Sequence, residues 1–348
     1  SRSKHKNIYS LVLSTAAVLM IVLASTKTQS MDEAQITNLG VAIAETVNKF
    51  YPPAILFTNA LLHNDWAGFV IFAAVSLLLG IAFITIVSHY YQRLNTAVFS
   101  HYAKKEYKMG TLKSSSPFMA LYKKELRRLS SCTIYALNSC IGIVLLFVVA
   151  LGAAFFMPPA LRQQIETMGI MNIIQNIMPI ALAVFVTMTS TTAASLSLEG
   201  KNRWIMCSAP TQARTVYNSK IAVNLTVILP VLYVSAIFIR IAIPCSLMQT
   251  VLLFIIPTVY TFFISVLGVY LNIKFPKYDW TSEYYAVKGG AISVLATVGG
   301  GMASSLTPLY LCIIFPHYQM MIMFGITCLI LLATLAIYLN VCRTQLYV

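Results

Sequence analysis

Residues 134–157 read IYALNSCIGIVLLFVVALGAAFFM, and this apolar run decides the fold class. The run holds no charged residue. A helix of this length measures about 36 Å at 1.5 Å per residue, and the hydrocarbon core of a bilayer is about 30 Å thick. The run therefore predicts an α-helix that spans a membrane.

Similar runs recur along the whole chain of 348 residues. Each is bounded by polar flanks and is long enough to cross a bilayer. The pattern predicts an all-α, polytopic transmembrane helical bundle with about eight spans. The predicted spans cover residues 8–25, 66–90, 134–157, 178–196, 221–243, 251–271, 291–315 and 320–341.

The overall composition agrees with this fold class. The chain is 58% apolar and 10% charged, with a mean hydropathy of +0.78. A soluble domain carries about 25% charged residues. Disordered segments combine low hydrophobicity with high charge. Both classes are therefore excluded.

The distribution of positive charge predicts the orientation. If the N-terminus is cytoplasmic, 20 of the 24 Lys and Arg residues fall in inner segments and three in outer ones. Positive residues collect on the cytoplasmic side of membrane proteins. We therefore expect both termini to be cytoplasmic. The net charge of +14 then faces anionic membrane lipids, and no nucleic-acid partner is expected.

The first run has a second interpretation. A basic start, an apolar core and Val22-Leu23-Ala24 also resemble a secretory signal peptide with its cleavage site. The fit of residues 8–25 to the alternating topology favours a retained span.

The predicted spans contain no Asp, Glu, Lys or His near their centres. Intramembrane ionisable residues mark proton relays and ion-coupled carriers, so a proton-driven carrier is disfavoured. The motifs HExxH, GxSxG and GxxxxGK[ST] are also missing from the sequence. We therefore expect neither an enzyme nor a chain that hydrolyses nucleotide by itself.

One group of hydroxyls lies inside the fourth predicted span. Thr187, Thr191 and Ser195 recur every four residues, which would stack them on one helix face, with Ser190 beside them. These hydroxyls line a transport pathway in one interpretation. In the other they form hydrogen bonds between helices.

A basic stretch precedes the third predicted span. Apolar residues from Phe118 to Leu129 follow helical spacing, with charges between them. This pattern predicts an amphipathic helix in the inner interface, and a solvated basic linker is the alternative. The charged residues of the predicted helix are Lys123, Lys124, Glu125, Arg127 and Arg128.

Two further inner segments combine charge with an interfacial Trp. Residues 197–220 are too short for a domain and are typical of a short helix that presents charge to a cytosolic partner. Residues 271–283 mix aromatic and charged residues with a proline. The residues predicted to contact the partner are Glu199, Gly200, Lys201, Arg203, Trp204 and Pro210.

These segments resemble type-2 ABC exporter permeases. Ser-Leu-Glu-Gly-Lys at 197–201, with a nearby Trp and Pro, is similar to the family's coupling loop. Leu-Asn-Ile-Lys-Phe-Pro-Lys-Tyr-Asp-Trp-Thr-Ser-Glu at 271–283 is the most specific match, to a Firmicutes-like branch. Lys-Lys-Glu-Leu-Arg-Arg at 123–128 also matches that branch.

The resemblance implies an organisation. Residues 117–348 form an interfacial helix and a six-span permease module, and residues 91–116 form a basic cytoplasmic linker. Residues 1–90 form the last two spans of a preceding half with a long outer connection, so the chain resembles an N-terminally truncated one. The resemblance also implies the bacterial plasma membrane, export of an unidentified cargo, and a second permease half or a homodimer mate.

The same resemblance implies that another subunit supplies the energy for transport. No cofactor is expected in this chain, because ATP and Mg would bind to cytosolic ABC ATPase subunits. Two other functions remain open from the residues alone. These are a secondary transporter driven by an ion gradient and a membrane scaffold that transports nothing.

Overall fold

The computed structural model describes residues 66–100, 115–156, 167, 169, 171–288 and 291–345. Within these residues every regular element is a helix, which confirms the all-α class. Helix α1, Trp66–Ser100, belongs to one compact unit. The described helices from Pro117 onward belong to a second unit.

The described part of the second unit combines long helices with short ones of 4–6 residues. Its helices, in chain order, are α2 (Pro117–Ser131), α3 (Thr133–Phe156), α4 (Met171–Thr187), α5 (Thr192–Ser195), α6 (Arg203–Ser208), α7 (Ala213–Ala242), α8 (Leu247–Lys274), α9 (Glu283–Val287), α10 (Ile292–Ile314) and α11 (Gln319–Arg343). Two 3₁₀ turns, Ser197–Asn202 and Pro316–Tyr318, connect some of them.

Seven helical segments of the described residues are long and apolar enough to cross a membrane. This supports a multi-pass membrane protein. The first predicted span, 8–25, lies outside the described residues, so the total of eight stays a prediction. Helix α7 begins eight residues before the predicted run 221–243, since the first turns of a spanning helix can be polar where they leave the hydrocarbon.

Helix α1 also extends beyond its predicted run of 66–90. The helix continues to Ser100, and residues 101–114 lie outside the described part of the chain. The linker assigned to 91–116 therefore stays a prediction.

The fourth predicted span, 178–196, is not one continuous helix. Helix α4 ends at Thr187, residues 188–191 are non-helical, and α5 begins at Thr192. The expectation that Thr187, Thr191 and Ser195 stack on one helix face is therefore wrong. Ser and Thr side chains compete with the backbone for hydrogen bonds, and here partners on other helices replace the helical ladder.

The backbone of the break finds its partners on neighbouring helices. Ser190 N donates to Ser139 O of α3 at 3.1 Å, and Thr191 N donates to Asn224 Oδ1 of α7 at 2.8 Å. Tyr135 OH donates to Thr191 O at 2.7 Å. Non-helical backbone at membrane depth occurs only where other groups of the protein form hydrogen bonds with its N–H and C=O groups. The surrounding helices supply these hydrogen-bond partners.

Glycines on neighbouring helices let the break pack closely against them. A Cβ on Gly142 of α3 would collide with Phe185 O, and a Cβ on Gly268 of α8 would collide with Thr192 Oγ1. A Cβ on Gly301 of α10 would lie 3.0 Å from Thr187 Cβ, where α4 ends. The break is therefore enclosed at distances that only glycine permits.

The opposite end of α4 is joined to its neighbours by side-chain amides. Asn176 Nδ2 donates to Gln319 Oε1 at 2.8 Å, and Gln249 Nε2 donates to Asn176 Oδ1 at 2.7 Å. Gln319 Nε2 in turn donates to Cys312 O at 3.0 Å. This chain of amides ties the starts of α4, α8 and α11 to the end of α10.

The close packing at Gly142 yields a prediction. We expect Gly142→Ala to lower the free energy of unfolding by about 1–3 kcal/mol, because the new methyl group meets a backbone carbonyl that cannot rotate away. Gly299→Ala is the matched control, since nothing lies within 4 Å of its Cβ position. Thermal unfolding of the purified protein in detergent measures both, and equal midpoints would contradict the packing.

Candidate functional site

Helix α2 rests on α7 through one of its faces. Ser116 caps its N-terminus by accepting a hydrogen bond from Met119 N, and Pro117 occupies its first turn. Glu125 is buried on the inner face, and Tyr122 OH donates to Thr226 Oγ1 of α7 at 3.0 Å. The amphipathic helix predicted from the sequence therefore exists and is docked on the bundle.

A buried ammonium lies beneath α2. Lys220 of α7 is 2% exposed. Its Nζ lies 2.7 Å from Glu125 Oε1, 3.3 Å from Glu199 Oε1 and 3.1 Å from Ser195 O. An ammonium has three N–H donors, so the three acceptors can satisfy all of them.

Glu199 of the 3₁₀ turn is the second centre of this arrangement. Its side chain is buried, and Oε1 lies 2.6 Å from Lys124 Nζ. Arg128 NH1 lies 3.2 Å from the same oxygen, at ion-pair distance but without hydrogen-bond geometry. We call Lys124, Glu125, Arg128, Glu199 and Lys220 the ion cluster.

The ion cluster joins three elements that are far apart in sequence. It connects α2, the turn after the break and the first third of α7. Removing one partner of a buried ion pair costs about 3–5 kcal/mol, because the other charge stays buried and unpaired. The ion cluster therefore connects the three elements, and loss of a buried charge from it would leave its partners unpaired.

The stretch 271–283 packs against the 3₁₀ turn Ser197–Asn202. Asn272 Oδ1 accepts from Leu196 N at 2.8 Å and from Ser197 N at 3.1 Å, and its Nδ2 donates to Ser197 Oγ at 2.7 Å. Trp280 Nε1 donates to Ser197 O at 2.8 Å. One amide and one indole thus hold the backbone that follows the break.

Gly200 lets the chain turn outward from this anchor. Its φ of 54° lies in the left-handed region that favours glycine. A Cβ there would also lie 2.8 Å from the Trp280 ring. Three residues later α6 begins, with the Arg203 guanidinium 4.3 Å from the centroid of the Tyr278 ring.

An exposed surface follows the anchored turn. Trp204 is 57% exposed and Ile205 is 55% exposed, and Lys201 is exposed beside them. We call Lys201, Trp204 and Ile205 the exposed turn. Pro210, also exposed, lies just after α6 and before α7 begins.

A cavity of about 210 Å³ lies beneath α6. Met206, Cys207 and Tyr217 are among the residues that line it.

The structure divides the predicted contact residues into two groups. Lys201 and Trp204 face outward, whereas Glu199 is buried, so its side chain does not present charge to the surroundings. Gly200 shapes the turn, and Arg203 is half-buried against Tyr278. Glu199 therefore anchors the segment from inside.

The charged residues of α2 divide in the same way. Lys124 and Arg128 point toward Glu199, whereas Lys123 and Arg127 are exposed. Glu125 is buried on Lys220. The sequence pattern predicted the helix but did not indicate which charges face inward.

The predicted pathway hydroxyls are bonded inside the bundle. Thr187 Oγ1 lies 3.3 Å from Ser305 Oγ, and Thr191 Oγ1 donates to Asn224 Oδ1 at 2.9 Å. Ser190 Oγ lies 3.1 Å from Thr192 Oγ1, and Ser195 Oγ donates to Thr192 O. This geometry is that of hydrogen bonds that hold the break together.

Sequence reasoning missed Lys220 as a site residue. Lys220 is the distal basic residue of the segment 197–220, and the sequence gives no sign that its ammonium is buried. Asn224 lies inside the predicted run 221–243, where its amide permits either a place in a pathway or a hydrogen bond between helices, and Asn272 lies directly after the run 251–271. A polar amide in such a position was the available signal.

Within the described residues no group of three or more His, Cys, Asp or Glu side chains is arranged to hold a metal ion. Comparison of the whole chain with known proteins finds no matching family model, no matching curated protein and no matching solved structure.

The ion cluster yields a prediction. We expect Lys220→Met to lower the free energy of unfolding by about 3–5 kcal/mol, because Glu125 and Glu199 lose their buried counter-ion. Adding Glu125→Gln to Lys220→Met should recover part of this loss, since one unpaired carboxylate is then removed. Thermal unfolding in detergent measures both.

The matched control is Lys201→Met, which removes the same charge from an exposed position and should leave the midpoint unchanged. An equal effect of Lys220→Met and Lys201→Met would contradict the buried cluster.

Proposed function

We propose that the chain is the membrane-spanning permease of an ATP-driven exporter of the type-2 ABC class. The exposed turn carries this proposal. It places Trp204 and Ile205 outward, at one end of a bundle of spans, directly after a turn held by buried ion pairs. The coupling contact of an exporter requires such an arrangement.

The exposed turn has the composition of a protein contact. Aromatic residues are enriched in the energetic centres of protein interfaces. Contiguous exposed apolar patches mark interaction surfaces, and Trp204 and Ile205 are consecutive and both exposed. A cytosolic ATPase subunit that receives Trp204 and Ile205 in a pocket is the partner that fits.

The ion cluster explains how a push on the exposed turn would reach the spans. Glu199 connects the turn to Lys220 of α7 and to Lys124 of α2. Since these contacts are buried, the three elements move together, and a shift of α6 into the cavity beneath it would move α7. Such rigid helix shifts are an established way to switch between packings.

The resemblance noted in the sequence supports the same proposal. The three stretches that carry it are 123–128, 197–201 and 271–283. In the structure Lys124 contacts Glu199, and Trp280 contacts Ser197. Stretches that are distant in sequence and resemble one family therefore meet in one place, as they would if they shared a coupling role.

The remaining elements take their roles from this proposal. Helix α1 would belong to the last two spans of a preceding half, and residues 117–348 would form the six-span module. Thr187, Ser190, Thr191 and Ser195 would line a pathway only after the helices around the break separate, because each is now bonded inside.

The cytosolic ATPase partner would supply the energy for transport. ATP and Mg would bind to cytosolic ATPase subunits. The complex would lie at the bacterial plasma membrane, as the resemblance implies. The buried carboxylates of the described residues, Glu125 and Glu199, are paired with cations at one end of the bundle and do not lie free in the middle of a span. This supports an external engine over an ion-coupled carrier.

The proposal predicts the effect of changing the exposed turn. In the full chain purified from its native membrane, we expect an ATP-binding protein to co-purify and to be labelled by azido-ATP. Trp204→Ala with Ile205→Ser should remove the labelled partner and its substrate-stimulated ATP hydrolysis. The thermal midpoint of the chain should stay unchanged, since both side chains are exposed.

The matched control changes exposed apolar residues at the opposite end of the bundle. Leu247→Ala with Met248→Ala should keep the ATP-binding partner, because these residues lie at the start of α8. Transport by vesicles that contain this chain alone, without ATP, would overturn the proposal.

A further inference from the structure

The outer face of α2 combines cations with apolar side chains. Lys123 and Arg127 are exposed, one helical turn apart. Phe118, Met119 and Leu126 are 37%, 41% and 39% exposed. We call these five residues the α2 outer face. The neighbouring cations Lys124 and Arg128 point inward to Glu199.

We propose that the α2 outer face binds the phosphodiester headgroup of anionic phospholipid, and that this contact fixes the position of the exposed turn. The proposal rests on the proposed function only in placing α2 at the cytoplasmic leaflet.

The spacing of the two cations suits a phosphodiester. Residues four apart on a helix have Cβ atoms about 5–6 Å apart, so Lys123 and Arg127 can reach one phosphate group together. Arg adds a planar set of donors that matches phosphate oxygens, and Lys adds a mobile point charge. No described carboxylate forms an ion pair with either side chain in the structure.

The position of α2 favours a membrane surface over a soluble acidic protein. Helix α2 ends at Ser131, and the spanning helix α3 begins at Thr133. The exposed Phe118, Met119 and Leu126 can enter the boundary between headgroups and acyl chains while the cations extend to the phosphates. One lipid can therefore bind the cations of the α2 outer face through its phosphate and the apolar side chains through its acyl chains.

The helix transmits this contact inward. Lys123 and Lys124 are consecutive, as are Arg127 and Arg128. A headgroup that holds the outer pair restrains the backbone that positions the inner pair on Glu199. Since a ligand that binds the folded state raises its stability, anionic lipid should stabilise the chain.

The test uses the full chain in neutral detergent and measures the thermal unfolding midpoint. We expect phosphatidylglycerol to raise the midpoint by several degrees relative to the same concentration of phosphatidylcholine, and added salt to reduce the difference. Lys123→Gln with Arg127→Gln should abolish the difference. Lys123→Arg with Arg127→Lys should keep it, because both charges remain.

The matched control is Lys274→Gln with Lys288→Gln, which removes two exposed cations from elsewhere in the described chain. This variant should retain the phosphatidylglycerol effect. Retention by Lys123→Gln with Arg127→Gln, equal loss in the control, or an equal rise with inorganic phosphate would each overturn the proposal. The readout needs no ATPase partner, so it can succeed or fail independently of the proposed function.

Discussion

A charged group can be removed from water only when other groups replace the water, and Lys220 shows what this demands of the fold. Its ammonium is enclosed by Glu125, Glu199 and a backbone carbonyl. These acceptors come from α2, from the turn after the break and from the end of α5. Each element therefore has to be in place before the lysine can be buried, and the electrostatic cost of any gap is several times thermal energy.

The broken fourth span depends on a related constraint. Backbone groups at membrane depth need partners within the protein, and Asn224 and Asn272 provide them on either side of α5. The three close-packed glycines allow the surrounding helices to approach the break. Buried amides, buried ion pairs and glycines thus act on one short segment, which ends at the exposed turn. A segment held in this way would suit the coupling role that we propose for it.

The sequence was sufficient to identify the described spans but not the break in the fourth one. Continuous apolar runs such as 134–157 are fixed by the thickness of the bilayer, so α3 agrees with its prediction to within a residue at each end. Thr187, Thr191 and Ser195 have the four-residue spacing of one helix face. This spacing alone does not show whether the backbone between them stays helical. Where α4 ends, residues 189–191 form hydrogen bonds with α3 and α7, and no local pattern records those contacts.

The candidate site was predicted in the same partial way. The alternation around Lys123 to Arg128 predicted α2, but consecutive residues on a helix differ by about 100° in direction, so the inward pair depends on where Glu199 lies. In the sequence Glu199 is a predicted contact residue of a charged loop, and Lys220 is a further cation of the same segment. Their burial follows from tertiary packing, which also converts Glu199 from a surface contact into an anchor.

The central claim is that Glu125 and Glu199 are buried against Lys220, and carboxyl labelling tests it most directly. The purified chain would be treated with a water-soluble carbodiimide and an amine, and each acidic residue would be quantified by mass spectrometry. We expect Glu125 and Glu199 to stay unlabelled while the exposed Asp279 and Glu283 are modified. Labelling of Glu199 at the rate of Asp279 in the folded protein would contradict the account.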